Sequence, residues 1–368
     1  PTDVGFANDD YSVSGTAEQK TFTVKTVTGL ETWADYVRTG NGNTNCTLEA
    51  SVALTDSWEP VGNDETPYTG TFNGGGNAIT NLTVTANTEY QGLFGFIDES
   101  GQVLNVTLEN ANITVTDDST QHVGIVAGYN AGLVQDCTVS GRVEAPQYVG
   151  GIVGANYGKV SNCISDVDIK NTTGYAGATI GGVVGNANSG STVENCRYTG
   201  AIDVTYNDTT METGGVVGQA SGCTISNCEN AGTVKSNIWT GGIVGSNNGG
   251  TISNCRNSGI VASNALRPSA GIGGIVGENY GVILDSYNAG TVTGGAYTGG
   301  VVGFNVAEDS NSTSGTIENC YNAGTVSGSG DVGGVAGYNK SSNTHAATVK
   351  SSYNTGNVTG SGDSSNAG

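Results

Sequence analysis

The chain has 368 residues, of which 33 are acidic and 12 are Lys or Arg, so its formal net charge is −21. This charge excludes nucleic-acid binding, which requires a basic surface. Glycine contributes 61 residues without the strict every-third spacing of collagen, and no apolar run is long enough to insert into a membrane. The acidic balance, the scarcity of Lys and the abundance of Asn and Thr indicate an extracellular protein.

The N-terminal part of the chain differs from the rest. Residues 1–27 are polar and are interpreted as an arm or an extra strand. Residues 28–39 are predicted to form a short amphipathic helix, because apolar side chains recur at the spacing of one helix face: Leu30, Trp33, Ala34 and Val37. Thr28 and Glu31 have the spacing of a capping box. We expect this helix to cap the open end of the repeats within a region, 28–90, that also holds the first coils.

An internal repeat organises the remaining chain. A glycine pair that opens an apolar run recurs seven times, and 183 residues over six intervals give a mean period of 30.5 residues. The pairs begin at Gly150, Gly181, Gly214, Gly241, Gly273, Gly299 and Gly333. Three β-rich segments per unit, separated by turns, leave no room for a helix and exclude the helical repeat folds.

This period predicts a three-sided parallel β-solenoid in which each repeat is one coil. With the N-terminal part included, the rod has about ten coils. The repeats are predicted to occupy residues 91–359, and residues 360–368 form a Gly/Ser-rich tail.

Equivalent positions of successive coils are expected to stack about 4.8 Å apart in columns. One column of small side chains is predicted to point inward: Cys137, Cys163, Cys196, Cys228, Cys255, Ser286, Cys320 and Ser352. The position before it predicts an amide-rich ladder at a corner: Asp136, Asn162, Asn195, Asn227, Asn254, Asp285 and Asn319. Left-handed turn conformations are expected at the Asn two residues after the cysteine position: Asn230, Asn257, Asn288, Asn322 and Asn354.

The eight cysteines are interpreted mainly as buried free thiols. Stacked neighbours can approach disulfide distance, but their side chains run side by side, which is poor geometry for a disulfide. Cys223 lies outside the column and is the candidate for a bridge, with Cys228 as its partner. The state of Cys46 is left open.

The repeats resemble a known family. Residues 92–95 and the Gly-Gly-Ile/Val-Val-Gly copies resemble the GLUG motif, and residues 58–62 and 68–82 are similar to the family's lead-in segment. Asn73 and Asn77 stand where the family usually has Asp and His. The resemblance implies a right-handed parallel β-helix in a secreted or wall-attached bacterial protein. It also implies adhesin-like proteins and the accessory regions of immunoglobulin A peptidases as settings for such repeats.

Catalytic chemistry is not predicted, and the chain is interpreted as a non-enzyme. Its two histidines, His122 and His345, lie in different repeats, and no H-E-x-x-H zinc-peptidase motif is present. Glycoside hydrolysis requires a separated carboxylate pair, whereas these acidic residues are adjacent or nearly so: Asp98/Glu99, Asp117/Asp118, Asp166/Asp168 and Glu308/Asp309. The arginines that a lyase would need are scattered over the coils: Arg142, Arg197, Arg256 and Arg267. No cofactor is predicted, although weak calcium binding by the loops at 117–118 or at Asp331 is left open.

Two columns are candidates for ligand binding. The position two residues before each glycine pair is predicted to form a stripe: His122, Tyr148, Thr179, Glu212, Trp239, Gly271, Tyr297 and Asp331. Its candidate binding residues are His122, Tyr148, Trp239 and Tyr297, because exposed ring faces suit sugars and protein hot spots. A second row is formed by Tyr287, Tyr321 and Tyr353. The alternatives are loops that shield the adjacent strand and an outer ladder that stabilises the rod.

The apolar doublets of the repeats pose a geometric question. Side chains alternate along a straight strand, so Ile152 and Val153 cannot both point inward unless the chain bends between them. If the strand is straight, one apolar column faces outward and requires a partner or a covering loop.

The main functional hypothesis is a non-catalytic binding or adhesion module of a host-associated bacterium. A rigid rod would engage a host glycoprotein, mucin or immunoglobulin along one face. We expect the module to belong to a longer surface-anchored polypeptide. The alternatives are a polysaccharide-acting β-helix hydrolase or lyase and a passive structural stalk.

Overall fold

The computed structural model describes residues 5–85, 88–116, 122–171, 177–204, 211–263, 270–309 and 314–361, and a strand at 366–367. Over these residues the chain winds into a parallel β-solenoid, and this part contains one α-helix, Val27–Arg38. Strands of successive coils pair in parallel and in register. The predicted all-β parallel solenoid with an N-terminal helix is confirmed. The domain boundaries stay a prediction.

Each coil contributes to four sheets, which we number in the order that a coil meets them. Sheet I consists of Tyr90–Gln91, His122–Val123, Tyr148–Gly150, Ala178–Gly181, Met211–Gly214, Trp239–Gly241, Gly271–Gly273, Tyr297–Gly299, Asp331–Gly333 and Asn366–Ala367. Sheet II consists of Phe94–Ile97, Ala127–Asn130, Val153–Asn156, Val184–Ala187, Val217–Ser221, Val244–Asn248, Val276–Asn279, Val302–Val306 and Ala336–Lys340. The glycine pair of each repeat lies where sheet I meets sheet II.

Sheet III begins with three N-terminal strands, which pair antiparallel with one another before the parallel coils start. It consists of Phe6–Ala7, Tyr11–Gly15, Lys20–Val24, Asn45–Leu48, Thr71–Asn73, Gln102–Leu104, Leu133–Gln135, Lys159–Ser161, Thr192–Glu194, Thr224–Ser226, Thr251–Ser253, Val282–Leu284, Thr316–Glu318 and Thr348–Lys350. The described part of the polar N-terminal segment therefore contains three strands.

Sheet IV closes the coil. It consists of Val52–Ala53, Ala78–Thr80, Thr83–Val84, Thr107–Thr114, Thr138–Ala145, Ile164–Asn171, Arg197–Tyr198, Ala201–Asp203, Glu229–Asn230, Thr233–Lys235, Arg256–Asn257, Ile260–Ala262, Tyr287–Asn288, Val292–Thr293, Tyr321–Asn322, Val326–Gly328, Tyr353–Asn354 and Val358–Gly360. Three coils have one eight-residue strand here, and later coils have two short strands.

Each coil contributes strands to four sheets, whereas the sequence predicted a three-sided coil, and the additional division lies at the glycine pair. At Gly151 the chain bends between a strand of sheet I and a strand of sheet II, so that Ile152 and Val153 are both fully buried. A Cβ on Gly151 would lie 2.2 Å from the carbonyl oxygen of Gly182 in the next coil, which leaves no room for a side chain. The later doublets are buried in the same way: Val183, Val184, Val216, Val217, Ile243, Val244, Ile275, Val276, Val301 and Val302. The doublets therefore do not form an outward apolar column.

The helix begins at Val27, one residue earlier than predicted. Its N-cap is Thr26, whose Oγ1 accepts a hydrogen bond from the backbone N–H of Gly29 at 3.3 Å. The capping box assigned to Thr28 and Glu31 is wrong, because Thr28 lies inside the helix. Thr26 is held in place by its bond to Asp10 (2.7 Å), a contact with the N-terminal strands that local sequence does not show.

The predicted apolar face of the helix covers the end of the solenoid. Its buried side chains include Leu30, Trp33, Ala34 and Val37. The Trp33 ring packs against Tyr68, Phe72 and Phe94 of the first coils, with centroid distances of 5.2 to 6.1 Å. The helix thus shields core side chains that an open coil would expose to water.

The left-handed residues lie one position before the cysteine column. Backbone φ angles of 48 to 55° occur at Asp136, Asn162, Asn195, Asn227, Asn254, Asp285 and Asn319. Their amides form an exposed ladder, in which Asn195 Nδ2 donates to Asn162 Oδ1 at 3.0 Å. Asn and Asp tolerate this conformation better than other non-glycine residues, which explains their repeated use at this corner.

The left-handed conformation expected at the Asn230 series is wrong, since none of these residues has a positive φ. They form instead an amide ladder in sheet IV that is buried from Asn230 to Asn322. Asn230 Nδ2 donates to Asn257 Oδ1, and Asn257 Nδ2 donates to Asn288 Oδ1, each at 2.7 Å. Asn257 Oδ1 also accepts the N–H of Gly259 at 3.2 Å, so the side chain itself closes the turn.

The cysteine column lies in the core. The thiols of its cysteines donate to the carbonyl oxygen two residues earlier, as Cys163 does to Ser161 at 3.1 Å. The hydroxyl of Ser286 makes the same bond at 2.7 Å, which explains why serine can replace cysteine here. All eight cysteines of the sequence lie within the described residues and are buried free thiols, so the candidate bridge between Cys223 and Cys228 is not formed.

Candidate functional site

The stripe positions two residues before each glycine pair form one column on the outer face of sheet I. His122 pairs in register with Tyr148, Glu212 with Trp239, and Tyr297 with Asp331. Because paired residues of a parallel ladder point to the same face, these side chains lie on one line along the rod. Tyr90 extends the column by one coil, since it pairs with His122.

Sheet II carries a second outer column that the sequence interpretation missed. Its members each directly follow the glycine that ends the apolar run of a repeat, and they are in register: Phe96, Tyr129, Ala155, Asn186, Gln219, Ser246, Glu278, Phe304 and Tyr338. This constant position next to the final glycine would have identified them from the sequence.

The two columns meet across the glycine bend. Tyr90 and Phe96 belong to the same coil, one on each sheet, and their ring centroids are 5.4 Å apart at an interplanar angle of 86°. Outer side chains that converge in this way show that the surface at the bend is concave. We call this surface, formed by the outer columns of sheets I and II, the corner groove.

A first aromatic cluster fills the N-terminal part of the corner groove. It consists of Tyr90, Phe96, His122, Tyr129, Tyr148 and Tyr157. His122 stacks between Tyr90 (5.2 Å) and Tyr148 (5.0 Å), and Phe96 stacks on Tyr129 (4.1 Å). Neighbouring rings therefore cover most ring faces, and the exposed faces predicted from the sequence are limited to the ends of the stacks.

His122 is neutral at physiological pH inside this cluster. Burial lowers its pKa to about 4. Its Nδ1 is buried and has no hydrogen-bond partner among the described residues. The ring therefore acts as a packed aromatic group rather than as a charge that faces a ligand.

A second aromatic cluster lies in the C-terminal part of the corner groove. It consists of Trp239, Tyr297, Phe304 and Tyr338, with Phe304 stacked between Tyr297 (5.1 Å) and Tyr338 (5.3 Å). The Trp239 ring is 6.0 Å from Phe304 and extends over Gly271, where a Cβ would come within 3.0 Å of it. The absence of a side chain at Gly271 thus makes room for the indole.

Between the clusters lies a polar gap. Its walls are Thr179 and Glu212 on sheet I and Asn186, Gln219, Ser246 and Glu278 on sheet II. Burial raises the pKa of Glu212 to about 7, and the charge of Glu278 adds to this effect while a hydrogen bond with Gln219 opposes it.

Glu278 is the more enclosed of the two acids, with 8% of its surface exposed. Its carboxylate accepts hydrogen bonds from the Tyr280 hydroxyl (3.0 Å) and the Ser246 hydroxyl (3.4 Å). Burial nevertheless raises the pKa of Glu278 to about 7, and the charge of Glu308 contributes in the same direction. Within the described part of the chain, neither Glu212 nor Glu278 forms an ion pair with a basic side chain.

The second candidate row lies on the outer face of sheet IV. Tyr321 stacks on Tyr287 at 4.8 Å and on Tyr353 at 5.3 Å, with nearly parallel rings. The Arg256 guanidinium lies 5.6 Å from the Tyr287 ring centroid and also pairs with Glu229. These contacts describe an outer ladder whose ring faces are mostly covered, and a binding role for this row stays a prediction.

The acidic residues singled out in the sequence that the structure describes lie in different surroundings, and Glu308 of one pair is close enough to Glu278 for its charge to raise the pKa of Glu278. Asp166 and Asp168 are exposed on sheet IV, and Asp309 is tied by hydrogen bonds to Thr344. Asp117, Asp118 and Arg267 lie outside the described residues. In the part of the chain that the structure describes, no three His, Cys, Asp or Glu side chains are placed to hold a metal ion, and no helix has the length and apolar character needed to cross a membrane.

A family model for the GLUG motif matches residues 145–170 and 209–235, so the GLUG-type repeats inferred from the sequence are confirmed. Among curated proteins, the chain is 36% identical over 106 residues to halomucin of Haloquadratum walsbyi, a match that covers 26% of this chain and 1% of halomucin. It is 36% identical over 83 residues to a "Putative Gly-rich membrane protein" of Evansella cellulosilytica, which covers 22% of this chain and 10% of that protein. The matches thus span a small part of both relatives.

A solved structure with the same fold is a crystal structure described as a "putative immunoglobulin A1 protease" from Bacteroides ovatus. The TM-score is 0.57 with 21% identity, and the match covers 75% of this chain and 86% of that chain. At this identity the likeness shows a shared fold.

Proposed function

We propose that the chain is a non-catalytic, extracellular binding module of a host-associated bacterium, and that it engages a host macromolecule through the corner groove. The carrying observation is the alignment of two aromatic clusters and a polar gap along one concave line of the rod. The partner class is a host glycoprotein, mucin or immunoglobulin. The name of the Bacteroides ovatus protein supports immunoglobulin as one member of this class by analogy.

The composition of the corner groove supports this proposal. Partly buried aromatic side chains are enriched at protein-binding hot spots, where they contribute area at a small entropic cost. The polar gap adds side chains whose hydrogen-bonding atoms are incompletely used, notably Thr179 Oγ1 and Asn186 Oδ1. Because the groove follows the rod axis, a long partner meets several such contacts at once, and their effects multiply.

The test is binding of purified mucin and immunoglobulin to the immobilised full chain. Trp239→Ala and Tyr148→Ala remove the rings that border the polar gap, and we expect each to weaken binding about tenfold or more. Phe6→Ala, which removes an exposed ring from the N-terminal strand Phe6–Ala7 outside both candidate columns, is the matched control and is expected to bind normally. Thermal melts of all variants establish that the fold is retained.

Two other outcomes correspond to the alternative functions. Absence of binding to every partner in the panel would favour a passive stalk. Release of shortened products from a polysaccharide panel would favour a hydrolase or lyase. Unchanged binding by the Trp239 and Tyr148 variants would contradict the assignment to the corner groove.

A further inference from the structure

The polar gap holds two acidic side chains, Glu212 and Glu278, to which the described residues supply no basic partner. Glu212 lies on sheet I and Glu278 on sheet II two coils further along, so the two are separated by about 10 Å along the rod. A buried carboxylate without a cationic partner is unfavourable, and in this chain the penalty appears as the raised pKa of both groups. A ligand that carries a positive charge would remove this penalty.

A second, independent feature points to a ligand in the same place. Thr179 is 1% exposed, and its hydroxyl has no hydrogen-bond partner among the described residues. It is in register with Glu212, so its side chain points into the polar gap from the same wall. On the opposite wall, the buried Oδ1 of Asn186 is likewise without a partner. Buried polar atoms of folded proteins are nearly always satisfied, so both atoms retain hydrogen-bonding capacity that a ligand or a bound water can use.

Trp239 completes the environment expected for an organic cation. It is the next residue after Glu212 in the column, and its indole extends over Gly271, which lies in the same coil as Glu278. One face of the indole stacks on Phe304, and an ammonium or guanidinium group that approaches the other face gains a cation–π interaction in addition to the attraction of the carboxylates. The net charge of −21 attracts basic partners over longer distances.

We propose that the polar gap is a subsite for a Lys or Arg side chain of an extended segment of the partner protein. This inference rests on the proposed function and names the chemistry that the corner groove recognises. A polypeptide is favoured over a cationic polysaccharide because neighbouring rings already cover most aromatic faces in both clusters, which leaves little surface for stacking sugar rings.

The proposal predicts a specific pH dependence. The groups that face Glu212 are Gln219 and Glu278, and those that face Glu278 are Ser246, Tyr280 and Glu308. A cation binds the deprotonated form of the two acids, whose pKa values are about 7. Affinity for a basic peptide is therefore expected to rise between pH 6 and pH 8.

The experiment measures fluorescence polarisation of labelled Gly/Ser peptides that contain one central Lys, Arg or acetyl-lysine, with the full chain at pH 6 and pH 8. We expect the Lys or Arg peptide to bind about tenfold more tightly than the acetyl-lysine peptide at pH 8. Glu212→Gln and Glu278→Gln are each expected to remove most of this preference and its pH dependence. Glu31→Gln, on the exposed side of the cap helix, changes the net charge equally and is expected to have no effect.

Four results would each overturn the proposal. The first two are equal binding of the Lys and acetyl-lysine peptides, and a loss of affinity with Glu31→Gln as large as that with the groove variants. The others are binding that requires calcium and disappears with a chelator, and tighter binding of partly deacetylated chito-oligosaccharide than of the peptides. Capture of mucin and immunoglobulin is measured with the same variants. If Trp239→Ala abolishes capture while the two Glu variants retain it, the result supports the corner groove as a binding surface and contradicts the subsite for a basic side chain.

Discussion

At the scale of single residues, His122 shows how the aromatic cluster sets a proton equilibrium. The imidazole is stacked between two tyrosine rings, and burial disfavours its charged form. Its pKa of about 4 in the folded chain lies below the ordinary value of 6.5. Between these two pH values the unfolded chain binds the proton and the folded chain does not, so folding becomes less favourable as the pH falls.

We expect His122→Phe to remove this part of the pH dependence. In the parent chain, His122 should lower the free energy of unfolding by about 1.4 kcal/mol for each pH unit from 6.5 down to 4. Urea titrations at pH 7.5, 6.0 and 4.5 measure the free energy of unfolding of the variant and the parent. The difference between the two isolates His122, because Glu212 and Glu278, whose pKa values are raised, change stability with pH in the opposite direction in both proteins. A constant difference at all three pH values would contradict the prediction.

The local chemistry of single residues was predictable only where it repeats at a fixed offset from the glycine pair. The stripe on sheet I was found in this way, whereas Glu278 was missed because the matching offset on sheet II was not followed. Glu212 and Glu278 are 66 positions apart in the sequence, and only the winding of the chain brings them to one groove. The raised pKa of each depends on burial by other coils, which no local pattern shows.

At the scale of secondary structure elements, the buried amide ladder of sheet IV joins consecutive coils. Asn257 receives a hydrogen bond from Asn230, donates one to Asn288, and accepts the N–H of Gly259. The side chain is fully buried, so each of these partners would lose a bond that water cannot replace.

We expect Asn257→Ala to lower the free energy of unfolding by about 3 kcal/mol, because it leaves several buried polar atoms unsatisfied. The matched control is Asn195→Gly, which removes an amide from the exposed ladder while keeping a residue that adopts φ of 55° without strain. The control should change stability by less than about 1 kcal/mol. Denaturant unfolding measures the free energy of unfolding of both variants. Equal decreases in the two variants would contradict the prediction that the buried amide contributes more stability than the exposed one.

Secondary structure elements were predicted correctly where the periodicity of the sequence determines them. They were predicted incorrectly where a contact with a distant part of the chain determines their bounds. The helix face from Leu30 to Val37 followed from its spacing. The N-cap did not, because Thr26 is selected by its bond to Asp10 of the N-terminal strands. In the same way, the sequence showed one apolar segment around Gly151, whereas the chain bends there between two strands, and the close approach of Gly182 of the next coil leaves no room for a side chain at the bend.

At the scale of the whole molecule, each coil is stabilised by its two neighbours. Thr251–Ser253 pairs on both sides, whereas within the described chain Thr348–Lys350 pairs only with Thr316–Glu318 and has exposed side chains. The opposite end is protected by the helix. Stability in such arrays depends on contacts between nearest neighbours, so the two ends should differ.

Hydrogen exchange with mass spectrometry should therefore show a gradient along the rod. Amides of Thr348–Lys350 are expected to exchange at least about tenfold faster than those of Thr251–Ser253. Amides of Asn45–Leu48, which pair on both sides close to the helix, should exchange slowly. Uniform exchange across the three segments would show that the rod opens as one cooperative unit instead.

The hydrogen bonds between coils have a mechanical consequence. They join successive turns of one chain, so a force applied to the two ends of the chain loads the outermost turn first and detaches it strand by strand. A repeat of 30.5 residues corresponds to about 100 Å of extended chain. The fully extended chain is therefore many times longer than the folded rod, and under tension this additional length is released one turn at a time.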